Sequence, residues 1–266
     1  MSKILFSFLL ILCLLLAGCG KPAVPTETVP LSSSATEQPT VPVVTETTPP
    51  ETTPPPTQSL LPSLVIPEVP VEDVILYFNE VCLDAEIVNG GDPSRLQKWD
   101  VPIRYAVFGS PTQEDTAVLT GFVDWLNTLE GFPGMAPAEE SHEINLRIYF
   151  CSQEELLSIM GENFTGMDGA VTFWYEQDEI YDATICIRTD LNQTLRNSVI
   201  LEELYNGLGP IQDTWLREDS IIYAGYSEPQ SLTAMDELLL KLLYRPELQC
   251  SMDARECEIL IRALYE

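Results

Sequence analysis

The chain has 266 residues, with 41 acidic against 13 basic side chains and a net charge of −28. A surface this negative repels phosphate backbones, so nucleic acid is excluded as a partner, and a single histidine, His142, excludes any site built on several imidazoles. A cation or a basic partner is allowed electrostatically, but no Asp-x-Asp-x-Asp-Gly loop makes calcium specific; the acid is read as a solvated surface.

In chain order, Lys3 precedes an apolar run from Ile4 to Leu16, which ends in Leu16-Ala17-Gly18-Cys19. This is the layout of a secretory signal peptide over residues 1–18. The run is shorter than the roughly 20 apolar residues a spanning helix needs. Its end resembles the lipobox of bacterial lipoproteins. The resemblance implies cleavage before Cys19, lipidation of its sulfur, and a membrane anchor holding the domain on the extracytoplasmic side. Residues 19–67 then read as the lipidated cysteine and a Pro/Thr-rich tether, typified by Thr47-Thr48-Pro49-Pro50-Glu51-Thr52-Thr53-Pro54-Pro55-Pro56. Such a composition buries too little apolar surface to offset chain entropy, and its prolines favour an extended spacer.

Residues 68–266 have the length of one globular domain. Asp73 to Val81 fits a strand or a short helix. Ile103, Tyr105 and Val107 alternate in a strand over Pro102–Gly109. Val118, Phe122, Trp125, Leu126 and Leu129 recur at helical spacing within Glu114–Leu129, and Gly131-Phe132-Pro133-Gly134 stops that helix. A strand over Glu143–Phe150 follows, with His142 at its start as a surface or edge residue. Ser152 with Glu155 caps a helix to Met160. Strands over Ala170–Tyr175 and Ile180–Arg188 flank the polar turn Glu176-Gln177-Asp178-Glu179. Thr194–Leu208 reads as a helix closed by Gly209 and Pro210, and Ser231 or Thr233 opens a last long helix with Leu238, Leu239, Leu242 and Leu243 on its core face. Cys82, Cys151, Cys186, Cys250 and Cys257 remain after processing. Their odd number leaves a free thiol; Cys250 and Cys257 fit a bridge across a turn, whereas Cys151 and Cys186 fit buried free thiols.

The segment Glu202-Glu203-Leu204-Tyr205-Asn206-Gly207-Leu208-Gly209 stands where zincin metallopeptidases carry His-Glu-x-x-His. Gly209, then Gln212 beside Asp213, follow the metzincin extension toward a third ligand. Ser220-Ile221-Ile222-Tyr223 is similar to a Met-turn with Ile222 in place of Met, and Thr233-x-x-Asp236 with Leu243-Tyr244 is similar to the closing helix. The chain therefore resembles a bacterial family of lipoproteins of unknown function with a degenerate metzincin-like domain. The resemblance implies an α+β, zincin-like fold: a mixed twisted sheet with helices packed on it and a small helical C-terminal subdomain. It also implies a catalytic-base position at Glu203 and ligand positions at Glu202, Asn206, Gln212 and Asp213.

The departures weigh against hydrolysis. Zinc takes imidazole, thiolate or carboxylate donors, and an Asn amide is a weak substitute. No metal or cofactor is expected, and on a helical wheel Glu202, Glu203 and Asn206 fall outside the apolar arc of Ile200, Leu201, Leu204 and Leu208, as a solvated face would. The reading is a pseudoenzyme scaffold serving binding or cell-envelope interaction; a middle course is that its vestigial cleft binds a peptide along an edge strand ending in Leu146–Phe150, with a protein or peptide as partner. Two alternatives stand beside it: a metallopeptidase with non-standard ligands, and a solute- or glycan-binding lipoprotein of unrelated fold. No phosphate-cradling loop, dinucleotide fingerprint or Cys-x-x-Cys pair supports other chemistry.

Overall fold

The computed structural model describes residues 64–83 and 94–265. The signal segment, Cys19 and the tether up to residue 63 lie outside them. Among the described residues there are six α-helices and six strands, and no helix is long and apolar enough to cross a membrane.

Helix α1 (Val71–Leu83) settles the ambiguity at its segment. Val74, Tyr77, Phe78, Val81 and Cys82 recur at helical spacing and are all buried. Strands β1 (Lys98–Trp99) and β2 (Ile103–Gly109) lead to α2 (Gln113–Leu126), which opens on a capping box between Thr112 and Asp115. Strand β3 (Met135–Pro137) and β4 (Leu146–Cys151) precede α3 (Gln153–Met160), opened by the Ser152–Glu155 capping box read from the sequence. Strands β5 (Gly169–Glu176) and β6 (Glu179–Arg188) form a hairpin, α4 (Gln193–Asn206) follows, and α5 (Ala234–Leu243) starts at Thr233. A further helix, α6 (Ala254–Tyr265), comes after the one read as last. Its buried residues are only Cys257, Ile261 and Tyr265, a stripe four residues apart among charges, too thin to stand out in sequence.

The sheet is mostly parallel. β3, β2, β4 and β6 lie side by side in that order, all parallel, and β5 pairs antiparallel with β6. β1 runs parallel to the start of β6, on the flank β5 leaves open. This corrects the expected peptide-binding edge: β4 is an interior strand with both flanks paired, and the edge strand of the hairpin is β5.

Leu146, Ile148 and Phe150 of β4 and Ala183, Ile185 and Ile187 of β6 point to one face, into a core shared with α1, α2, α4, α5 and α6. α5 and α6 are part of that core rather than a separate body. α3 covers the other face, where Leu156 packs on Cys151 and Cys186. All five described cysteines are free thiols, so Cys250 and Cys257, which the spacing allowed to pair, are not bridged, and Cys151 and Cys186 are buried as read.

A buried ion pair joins α2 to α4. Arg196 donates to Asp115 at 2.8 Å with side-chain exposures of 8% and 0%, and Asp115 also accepts from Gln193 and the Thr112 amide. Burial works to raise the Asp115 pKa, but the hydrogen bond from Arg196 and those from Thr112 and Gln193 outweigh it and hold it below the ordinary value. Asp115→Ala would leave the guanidinium buried without its anion, and the expected loss is about 3 kcal/mol of unfolding free energy in urea; an unchanged midpoint would refute the link.

Candidate functional site

Helix α4 carries the positions singled out in the sequence, and it is buried on more than one side. Arg196, Ser198, Val199, Ile200, Leu201, Glu203, Leu204 and Tyr205 are all shielded. Glu203 is 8% exposed, so it does not lie on a solvated face, contrary to the helical-wheel expectation. The wheel fails because α4 faces the sheet with one side and the C-terminal helices with another. Room for the carboxyl comes from Gly169 at the start of β5: a Cβ there would stand 2.5 Å from Val199 Cγ1 and 2.7 Å from Glu203 Oε1.

Burial pushes the Glu203 pKa well up, and the charges of Glu202 and Asp213 push it the same way. A carboxyl so placed holds its proton to higher pH than an exposed glutamate does. Glu202 and Asn206 flank it, both half-buried. The helix ends at Asn206, capped by Gly207. Gly209 then adopts φ 127°, with Gln97 O only 2.5 Å from where a Cβ would sit, so the chain can reverse there only as glycine.

That reversal brings Asp213 back onto α4, where Asn206 Nδ2 donates to its Oδ1 at 3.3 Å. Gln212 sends its amide to Val81 O at 3.2 Å and its side chain to Asp213 O at 3.4 Å. Thr214 binds the carboxylate of Glu80 on α1. Glu202, Glu203, Asn206 and Asp213 are therefore neighbours, as the sequence pattern expects, while Gln212 turns to the backbone.

These residues do not fit zinc. Asn206 spends its amide nitrogen on Asp213, and its buried Oδ1, which has no partner, is a single weak donor. Among the described residues no three His, Cys, Asp or Glu side chains group around a common point. His142 is exposed in a short 3-10 turn beside Glu140.

The segment Ser220–Tyr223 is a turn held by a residue whose role the sequence did not disclose. Asp236, fully buried at the third position of α5, accepts at Oδ1 from Tyr77 (3.0 Å) and Ser220 (2.8 Å). Its Oδ2 accepts from the Ile221 amide (3.2 Å), the Thr233 amide (2.9 Å) and the Thr233 hydroxyl (2.8 Å). Tyr205 of α4 donates to the Asp236 carbonyl at 2.9 Å. The Thr233-x-x-Asp236 capping-box spacing was the available signal, but it accounts for only two of these contacts.

Fold and site together define an α/β domain with a mostly parallel sheet, whose central buried helix carries a shielded carboxyl. A family model described as a protein of unknown function, DUF2927, matches residues 72–263, and the chain belongs to that family. No curated protein matches the chain.

Two measurements test the site. Glu203 keeps its proton in the folded chain above its ordinary value of 4.5, whereas the unfolded chain releases it there. The folded state then binds more protons, and stability falls as pH rises from that value through the folded pKa. Glu203→Gln removes this slope, so the variant should gain on the parent by about 1.4 kcal/mol per pH unit within that window. Parallel urea-stability curves at pH 5 to 8 would contradict it. Separately, Asp236→Ala strands several buried donors and should cost about 3–5 kcal/mol by chemical denaturation.

Proposed function

We propose that the chain is a lipoprotein, anchored through Cys19 on the extracytoplasmic side and held off the membrane by its Pro/Thr-rich spacer. On this reading its folded domain is a zincin-like scaffold that binds a protein or peptide and does not hydrolyse it. The order from β2 to α4, which is strand–helix–strand–helix–hairpin–helix apart from the short extra strand β3, supports the zincin-like part. The observation that carries the rest is Glu203: the carboxyl at the catalytic-base position is sealed beneath Gly169, where burial raises its pKa, with a carboxylate and an amide flanking it instead of imidazoles.

The binding surface on this reading is the outer flank of β5. Its inner flank pairs with β6 along Gly169–Glu176, and no second strand pairs with it among the described residues. An extended peptide adds to such an edge through main-chain hydrogen bonds.

The test uses the purified chain and unfolded casein fragments as probe. Amide NMR shifts confined to Gly169–Glu176, with the casein uncut in the presence or absence of added zinc, are the expected result. Chelator-sensitive cleavage that vanishes in Glu203→Gln would instead establish a peptidase with unusual ligands, and shifts centred elsewhere would remove the β5 edge from the proposal. For the address, Cys19→Ala should move the chain from the detergent to the aqueous phase on partitioning.

A further inference from the structure

A cavity of about 600 Å³ opens where β1 meets the start of β6. Lys98 and Asp100 line it from β1 and just beyond, Gln177 and Glu179 from the β5–β6 turn, and Tyr244 and Ser251 from the connection between α5 and α6. Its size is that of an ordinary small-ligand pocket. Two of its walls are tied together, because the Ser251 hydroxyl reaches Asp178 Oδ2 at 2.5 Å and Gln177 O at 3.2 Å.

One side chain in this lining lacks the partner its charge calls for. Lys98 is 6% exposed, and its ammonium donates to Leu243 O at 3.0 Å and to Leu248 O at 2.5 Å. Capping the end of α5 accounts for those bonds. An ammonium has three protons, so one remains. The other buried cations among the described residues, Arg196 and Arg245, each hold a carboxylate. Lys98 pairs with none among them, and the Tyr244 ring centroid lies 5.7 Å from its Nζ. Burial lowers the Lys98 pKa, the response of an ammonium short of countercharge.

Carboxylates stand at the mouth instead. Glu179 is the register partner of Lys98 on β6, so both side chains rise from one face of the sheet, and Asp100 follows Lys98 by two residues. Both acids are exposed, while the ammonium is drawn inward to the two carbonyls. The cavity therefore has a positive end inside and a negative rim. A simple anion meets that rim and the −28 charge of the chain, and both repel it. A molecule that carries both charges and is neutral overall satisfies each end.

We infer that this cavity binds a small zwitterion of the amino-acid class, free or as a short peptide. The ligand carboxylate accepts from the third proton of Lys98, and its ammonium lies against Asp100 and Glu179. The cavity shares no residue with α4 or with the Gly169–Glu176 edge, so the site stands or falls separately from the proposed function.

The test is isothermal titration of the purified full chain with the common amino acids, taken singly, and with dialanine and trialanine, each up to about 10 mM. At least one of these zwitterions should bind, and whether the tightest is an amino acid or a peptide identifies the source. Acetylating the amine of that ligand removes its positive charge, and amidating its carboxylate removes the negative one. Each blocked form should bind about tenfold more weakly or worse. Asp100→Asn with Glu179→Gln, both at exposed positions, should weaken the parent ligand to a similar degree, and Lys98→Met should abolish its binding. Absence of binding by every zwitterion, a blocked form that binds as well as its parent, or unchanged affinity in the rim variant would each overturn the site. Should Lys98→Met fail to fold, the rim variant and the blocked ligands decide.

Discussion

The architecture around α4 depends on one buried carboxylate, Asp236. It sits where α1, α4, α5 and the Ser220–Tyr223 turn meet, and its side chain accepts from Tyr77, Ser220, the Ile221 amide and Thr233. A buried charge is costly unless its lone pairs are filled, and here each oxygen has at least two donors. The hydroxyl of Ser220 is itself shared, since Ile222 donates its amide to it at 3.1 Å. Through Tyr205 the same residue reaches α4. Hydrophobic contact alone is non-directional and would let α5 slide against α1. The directional bonds at Asp236 fix the register of helix, turn and helix, and with it the place to which the chain returns after Gly209.

Much of this was legible in the sequence wherever one local interaction decides a structure. Ser152 with Glu155 gives the helix start read, and Thr233 with Asp236 gives one of the two starts left open with Ser231, because a capping box is local. The paired strands β5 and β6 and their turn were legible for the same reason, although Gln177 and Asp178 both adopt positive φ, a conformation that turns usually give to Asn and Gly. What was not legible depends on distant partners. β1 and β3 are too short to show alternation and exist because β6 and β2 offer them a flank. α6 is a helix with a thin buried stripe that exists because α1 receives Cys257, Ile261 and Tyr265. The edge strand could not be identified before the strand order was known, since sequence order places β4 and β5 in succession while β6 lies between them in space.

The candidate site shows the same division. Spacing alone placed Asn206 beside Asp213, because Gly209 permits the reversal that joins them. Spacing could not show that Glu203 is buried, because that depends on a glycine thirty-odd positions earlier, on another element. Gly169 has no side chain to fill the space that Glu203 occupies. A carboxyl kept out of water, with Glu202 and Asp213 nearby, is driven to the neutral form. In that form it contributes volume and a hydrogen-bonding group. The residue type found at a catalytic-base position is thus present, in surroundings that raise its pKa.

The two faces of the sheet explain a further departure. Parallel strands are ordinarily covered on both faces and read as continuous apolar runs. Here β2 and β4 alternate, with Ile103 and Tyr105 or Leu146, Ile148 and Phe150 buried and Arg104, Arg147 and Tyr149 only half-buried. The cause is unequal cover. α2, α4 and the C-terminal helices close one face, whereas α3 spans only part of the other. Beyond the reach of α3, Arg147 pairs with Asp182 at 2.8 Å, and at the margin of its cluster Phe108 stacks on Tyr149 with 4.8 Å between ring centroids. Trp174 is left half in water. Because α3 covers little, the apolar volume beneath it is small, and it is filled by Cys151, Cys186 and Leu156 rather than by a continuation of the main core. The partial cover that made the strands readable from their alternation also separates the small cluster of Cys151, Leu156 and Cys186 from the core behind the sheet.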